Sequence, residues 1–145
     1  MSKSPNYLID INVWVALFLR NHPHHFVAES RVLQLKAQEA CFCRATQKGL
    51  FRLLTQNTPT YGNPLPMIQC WELYEELCAS KGILFLEEPQ GLEKHWRALT
   101  STMLASPKLW MDAYLQAFAE LAGLKIITFD RALAKASGGE CLLGE

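Results

Sequence analysis

Asp10, Asp112 and Asp130 are the residues of this chain whose settings best suit chemistry. Asp10 closes the apolar run Tyr7-Leu8-Ile9, and Asp130 closes Ile126-Ile127-Thr128-Phe129. Asp112 interrupts an otherwise apolar segment, Leu109-Trp110-Met111-Asp112-Ala113-Tyr114. Carboxylates that follow buried strands gather at one edge of a parallel sheet, where open α/β folds bind their ligands. Like charges brought together raise one another's pKa, so three ionised carboxylates share a small volume only if a cation neutralises them. A divalent metal meets that need, and metal-assisted phosphoryl chemistry is the reaction class it suggests. Each aspartate also has a purely structural reading. Asp10 and Asp130 precede helical segments and are favoured N-cap types. Asp112 has Lys108 four residues before it, the spacing of a helical ion pair.

The elements that must position these groups alternate along the chain. Residues 6–10 read as a buried strand, 12–20 as an apolar helix and 24–38 as an amphipathic helix. Residues 40–43 form the next strand, followed by a helix over 45–54. A further helix over 67–80, halted by Lys81-Gly82, leads to a strand at 83–86. Helices over 92–104 and 107–122, the second closed by Gly123, precede a strand at 124–129 and a short helix at 131–136. Residues 141–143 offer an edge strand. Thr55–Pro66, with Pro59, Gly62, Pro64 and Pro66, reads as a surface loop. Such alternation demands parallel pairing with helices on both faces. The expected fold is α/β, a three-layer sandwich around a mostly parallel sheet of four to five strands, with residues 1–145 forming one domain.

Composition narrows the function classes. Half of the 145 residues are apolar and 19% are charged, which argues against disorder. Lys+Arg and Asp+Glu number 14 each, so the net charge is zero and affinity for nucleic acid must come from a local basic patch. Zero net charge also favours association with a partner or a second copy. Cys41 and Cys43 alternate along a strand and share a face, as core thiols would, and no Cys/His set has zinc spacing. Reduced cysteines and the absence of a signal-like or membrane-spanning run point to the cytoplasm.

Four blocks together resemble the PIN domain, in particular its VapC-type toxin branch. They are Leu8-Ile9-Asp10-Ile11-Asn12-Val13-Trp14, Arg44 through Leu54, Asp112 through Gly123, and Ile127-Thr128-Phe129-Asp130-Arg131-Ala132-Leu133. Order and spacing match across nearly the whole chain. The resemblance implies a central parallel sheet, Mg²⁺- or Mn²⁺-dependent ribonuclease activity, and a small antitoxin partner. Asp10, Asp112 and Asp130 would then be the catalytic metal ligands. Many PIN nucleases carry a glutamate in the second block where this chain has Gln47, a neutral oxygen donor and so a weaker ligand.

Other residues fall around this centre. Arg44, Lys48 and Arg52 recur at i, i+4, i+8 and form one helical stripe; Arg131 and Lys135 repeat the i, i+4 spacing after Asp130. Such stripes hold phosphates beside a metal-bound one, or are solvated faces. Thr128 shares a strand side with Asp130, within reach of a phosphate, a water or the Asp130 carboxylate. Asn12 suits a supporting donor or a helix N-terminus, and Thr46 a cap. His22, His24 and His25 read as surface residues, and Trp14 and Trp110 are the tryptophans nearest the acids. Glu87-Glu88-Pro89 reads as a surface turn. The expected activity is endonucleolytic cleavage of single-stranded or loop RNA, by a homodimer. Two rivals are a PIN module that binds RNA or protein without cleaving, and a phosphoacceptor receiver domain. The receiver lacks its acidic pair, since the first strand offers a single Asp10 and the third is followed by Glu87-Glu88, and no lysine stands where it needs one.

Overall fold

The computed structural model describes residues 5–57 and 62–144. The first residues of the chain and the middle of the proline-rich loop, Pro59 included, lie outside the described residues. The first half runs β1 (Tyr7–Ile9), α1 (Ile11–Phe18), α2 (His25–Gln34), β2 (Ala40–Phe42), α3 (Arg44–Leu54), α4 (Met67–Lys81) and β3 (Leu84–Phe85). The second runs α5 (Leu92–Thr100), α6 (Leu109–Ala122), β4 (Lys125–Thr128), α7 (Arg131–Ser137) and β5 (Glu140–Cys141). All neighbouring strands pair in parallel, in the order β3-β2-β1-β4-β5. The α/β sandwich expected from the alternation is the observed fold, with the edge strand present.

Strand alternation divides the core into two layers. Leu8, Cys41 and Ile126 point to one face, where they meet Leu115 and Phe118 of α6 and Leu92 of α5. Ile9, Phe42 and Ile127 point to the other, against Val13 and Trp14 of α1, Leu50 of α3 and Tyr74 of α4. Strands buried on both sides read as unbroken apolar runs, which is why Tyr7-Leu8-Ile9 and Ile126-Ile127 show no polar alternation. Cys41 and Cys43 are free and buried, and burial pushes the Cys41 thiol up to about 12. Trp14 stacks on Phe42 with ring centroids 4.3 Å apart. Its place in the core removes it from contact with any substrate.

Helix ends depart from the periodicity in instructive ways. The segment expected to be helical through Leu104 stops at Thr100, because the Thr100 and Ser101 hydroxyls bond back to the Trp96 and Arg97 carbonyls. Met103 and Leu104 are left exposed. The helix expected from Pro107 begins at Leu109, which puts Asp112 in its first turn, where the dipole favours a carboxylate. Gly82 and Gly123 stop α4 and α6 at φ of 71° each, left-handed conformations that glycine adopts without cost. Gly49 has a different duty: a methyl group there would collide with the Ile11 side chain, so its absence lets α3 lie against the start of α1.

Candidate active site

The strand order reverses at β1, and this reversal makes the site. After β1 the chain builds β2 and β3 on one side, then returns to lay β4 and β5 on the other. Helix α1 leaves β1 toward one core layer and α7 leaves β4 toward the opposite one. The carboxyl ends of β1 and β4 are therefore adjacent, while the helices that follow them diverge, opening a crevice of the kind that holds ligands in open parallel sheets. Asp10 and Asp130 are the first residues beyond these two strands. Helix α6 runs back against β4, so its first turn, with Asp112, also lies at this edge.

Asp10 is 8% exposed and caps α1, its Oδ1 accepting from the Ile11 N–H at 2.7 Å. Its Oδ2 accepts from the Thr128 hydroxyl, also at 2.7 Å. Burial raises the Asp10 carboxyl above its ordinary range, against the lowering effect of these two hydrogen bonds. Asp130 caps α7 through a bond from the Leu133 N–H at 3.1 Å. Lys108 reaches both remaining acids: its ammonium contacts Asp130 and stands 3.4 Å from Asp112. Asp112 and Asp130 thus converge on one cationic point. Both structural readings of the aspartates are therefore realised, the caps and the Lys108 pair, and they coexist with the clustering. Among the described residues, no group of three His, Cys, Asp or Glu is already arranged around a metal position.

The supporting residues form a hydrogen-bonded frame. Thr128 is fully buried; its hydroxyl donates to Asp10 and accepts from the Asp130 N–H at 2.9 Å. It links the two acids across β1 and β4 and has no free path to a phosphate, which corrects the substrate-contact expectation. Asn12 turns inward too, donating to Thr128 at 3.5 Å and accepting from the Phe129 N–H at 3.3 Å. Thr46 accepts from the Cys43 N–H at 3.0 Å and closes the start of α3, as a cap would. Gln47 is buried on α3 with its oxygen accepting from Arg44 at 2.6 Å, beside Tyr74.

Arg44, Lys48 and Arg52 do form one stripe, and it lines a groove shared with Trp96, Trp110 and Tyr114. Arg131 and Lys135 line a separate hollow with Gly139 and Cys141. Of the histidines, His25 is buried, its Nδ1 bonded to the Ala16 carbonyl at 2.8 Å, so the expectation of a surface cluster fails there. Glu88, read as a surface turn, accepts from the Tyr114 hydroxyl at 2.8 Å and lines the groove. By helical spacing alone, Lys108 pairs only with Asp112. Its contact with Asp130 needs the packing of α6 against β4, which no local spacing reveals.

The PIN domain family model matches residues 7–139, from the first residue of β1 to the turn before β5. The chain belongs to the PIN domain family. Ribonuclease VapC41 of Mycobacterium tuberculosis is 40% identical over 141 residues, covering 94% of this chain and 97% of that protein. Ribonuclease VapC44 of the same organism is 28% identical over 127 residues, covering 88% and 87%. Two solved structures share the fold at low identity. PAE2754 of Pyrobaculum aerophilum superposes with a TM-score of 0.63 at 18% identity, over 94% of this chain and 83% of that one. FitAcB of Neisseria gonorrhoeae does so with a TM-score of 0.63 at 16% identity, over 93% and 95%. In this PIN domain the three aspartates stand at the crevice where the strand order reverses.

Proposed function

We propose that this PIN domain is a divalent-metal-dependent endoribonuclease, the toxin of a toxin–antitoxin pair. The observation that carries the reading is the convergence of Asp112 and Asp130 on one cationic point beside the buried Asp10. Relatives named as VapC ribonucleases, matched over nearly their whole length, supply the reaction class.

The donors fit a hard divalent ion. All are carboxylate oxygens, the ligands that Mg²⁺ and Mn²⁺ prefer. Lys108 already shows that a cation is accommodated between Asp112 and Asp130, and its side chain, 67% exposed, is free to swing into solvent when a metal takes that place. Asp10 lies beneath them, held by Thr128. Bound there, the ion supplies polarisation of a phosphoryl oxygen and a more acidic water.

The chain's own groups do the remaining work. Thr128 and Asn12 fix the Asp10 carboxylate and the turn that carries Asp130, so the ligands are set before the ion arrives. Asp10, Asp112 and Asp130 would present carboxylate oxygens to the ion. Arg44, Lys48 and Arg52 hold phosphates that flank the scissile one, which is how phosphate contacts position a strand without reading its bases. Arg131, the residue after Asp130, lines its own hollow with Lys135 and would hold a phosphate farther along the strand. Single-stranded or loop RNA suits a groove whose floor is at the end of the sheet.

The partners follow the same logic. Exposed Met67, Ile68 and Trp71 on α4, with Phe26 and Leu33 on α2, are apolar surface that a second copy or an antitoxin would cover. An antitoxin arginine would pair with the three carboxylates. Among the described residues no helix is long and apolar enough to cross a membrane, and the buried thiols suit action in a reducing cytoplasm. Incubation of the purified chain with mixed-sequence RNA, with Mg²⁺ or Mn²⁺ and with chelator, tests the reading. Cleavage that depends on the ion supports it; binding without cleavage assigns the chain to the non-catalytic modules.

A further inference from the structure

The groove beside the aspartates has two chemically different walls, and the ribonuclease reading does not by itself explain the second. Its volume is about 620 Å³. Arg44, Lys48 and Arg52 form the wall on α3. Lys48 and Arg52 have no ion-pair partner among the described residues. The facing wall is aromatic, built from Trp96 on α5 with Trp110 and Tyr114 on α6. Trp110 is 59% exposed, unusual for a tryptophan in a folded chain.

The exposed ring is nevertheless held. The Trp96 indole N–H donates to the Trp110 carbonyl at 2.9 Å, and the two rings meet edge to face with centroids 5.9 Å apart. Tyr114 braces Trp96 from the other side at 5.9 Å and is itself tied to Glu88. An indole fixed from behind and open in front offers a flat apolar surface at little entropic cost. Trp110 shares the first turn of α6 with Asp112, so this surface lies at the same end of the helix as the acid, on a neighbouring part of its circumference that lines the groove.

We propose that Trp110 is a nucleobase platform. A base of the bound strand stacks on the open indole face while neighbouring phosphates follow Arg44, Lys48 and Arg52. The proposal rests on the ribonuclease reading above and names how its substrate is held. Successive cations of the stripe are separated by about 6 Å along the helix axis, on the order of the phosphate spacing in an extended strand. Paired bases cannot present a face to the ring, so the arrangement selects unpaired RNA and tolerates different bases. A cationic wall opposite an aromatic one suits a single strand better than an acidic or apolar peptide, which would use only one of the two.

Fluorescence anisotropy in chelator, where no cleavage occurs, tests this with two labelled probes. One is a mixed-sequence oligoribonucleotide and the other an abasic ribose-phosphate oligomer of equal length. Trp110→Leu is expected to weaken the base-bearing probe about fivefold or more and leave the abasic one unchanged. Trp110→Phe, which restores an aromatic face, is expected to recover most of the loss. Lys48→Gln with Arg52→Gln is expected to weaken both probes and to flatten the salt dependence by about 0.7 for each cation removed. Equal weakening of both probes by Trp110→Leu, or no weakening of either, overturns the platform and leaves the groove to a protein segment. Cleavage that persists in that case spares the ribonuclease reading. A wild-type chain that neither binds the oligoribonucleotide nor cleaves it with Mg²⁺ or Mn²⁺ overturns both.

Discussion

Lys108 gives the acidic centre its electrostatic character at the scale of single residues. Its ammonium offsets part of the repulsion between Asp112 and Asp130 and stands where a divalent ion would compete with it. Lys108→Gln should therefore lower the thermal stability of the metal-free protein and raise Mn²⁺ affinity by about tenfold, roughly 1.4 kcal/mol. Calorimetric titration alongside thermal unfolding checks both signs, and a parallel loss of stability and of affinity would refute the competition. Gln47 calls for the opposite experiment. Its oxygen is engaged by Arg44 at 2.6 Å and its side chain lies by Tyr74, so Gln47→Glu should form an ion pair with Arg44. Mn²⁺ affinity should then stay within about threefold of wild type, less than the tenfold gain a fourth nearby carboxylate would bring. The three aspartates were legible in the sequence because each ends an apolar run or breaks one. The orientation of Gln47 was not, since helical spacing places a residue on a face without saying which neighbour claims it. Thr128 was legible as a partner of the acids, yet its complete burial depends on β1 and β4 meeting, a long-range event.

The crevice belongs to the scale of elements, and it depends on how closely α3 and α1 approach. Gly49→Ala would push the new methyl into Ile11, the residue after Asp10, at a cost of about 1–3 kcal/mol as the contact repacks. Activity should fall with stability, and a denaturant titration paired with an RNA-cleavage assay checks the coupling. On the other face, α5 and α6 are joined by His95 and Glu120 at 2.5 Å and by the Trp96–Trp110 bond. The hydrogen bond from His95 holds the Glu120 carboxyl below its ordinary range. A depressed folded pKa contributes stability above the unfolded value and loses it as pH falls through the folded one. His95→Ala should thus cost a few tenths of a kcal/mol at neutral pH, as exposed pairs do, and the difference from wild type should vanish in acid. Thermal unfolding across pH reads this directly. Element order was legible because apolar runs and helical periods alternate so regularly. Helix ends were less so: the back-bonding hydroxyls of Thr100 and Ser101 stop α5 where the apolar pattern continues through Met103 and Leu104.

For the whole molecule, zero net charge joined to exposed Met67, Ile68, Trp71, Phe26 and Leu33 predicts self-association. Light scattering at micromolar concentration should report a dimer, and Trp71→Glu should shift it toward monomer if α4 carries the interface. With no net charge to draw RNA from a distance, binding must come from the groove, so affinity should fall steeply with salt even though the chain is neutral. The sheet order was legible only as parallel pairing; that β1 is the point of reversal, and hence that Asp10 and Asp130 flank one crevice, follows from the folded topology. These acids are proposed to form a metal-dependent ribonuclease centre. Single-turnover cleavage of one RNA by the wild-type chain and by Asp10→Asn, Asp112→Asn and Asp130→Asn, at saturating Mn²⁺ and with folding verified, tests it most directly. Each substitution should reduce the rate by about a hundredfold or more, on the order of losing a preorganised charge at a reacting centre. Near-native cleavage by any one variant would remove that aspartate from the centre, and near-native cleavage by all three would rule out a ribonuclease centre built on these acids.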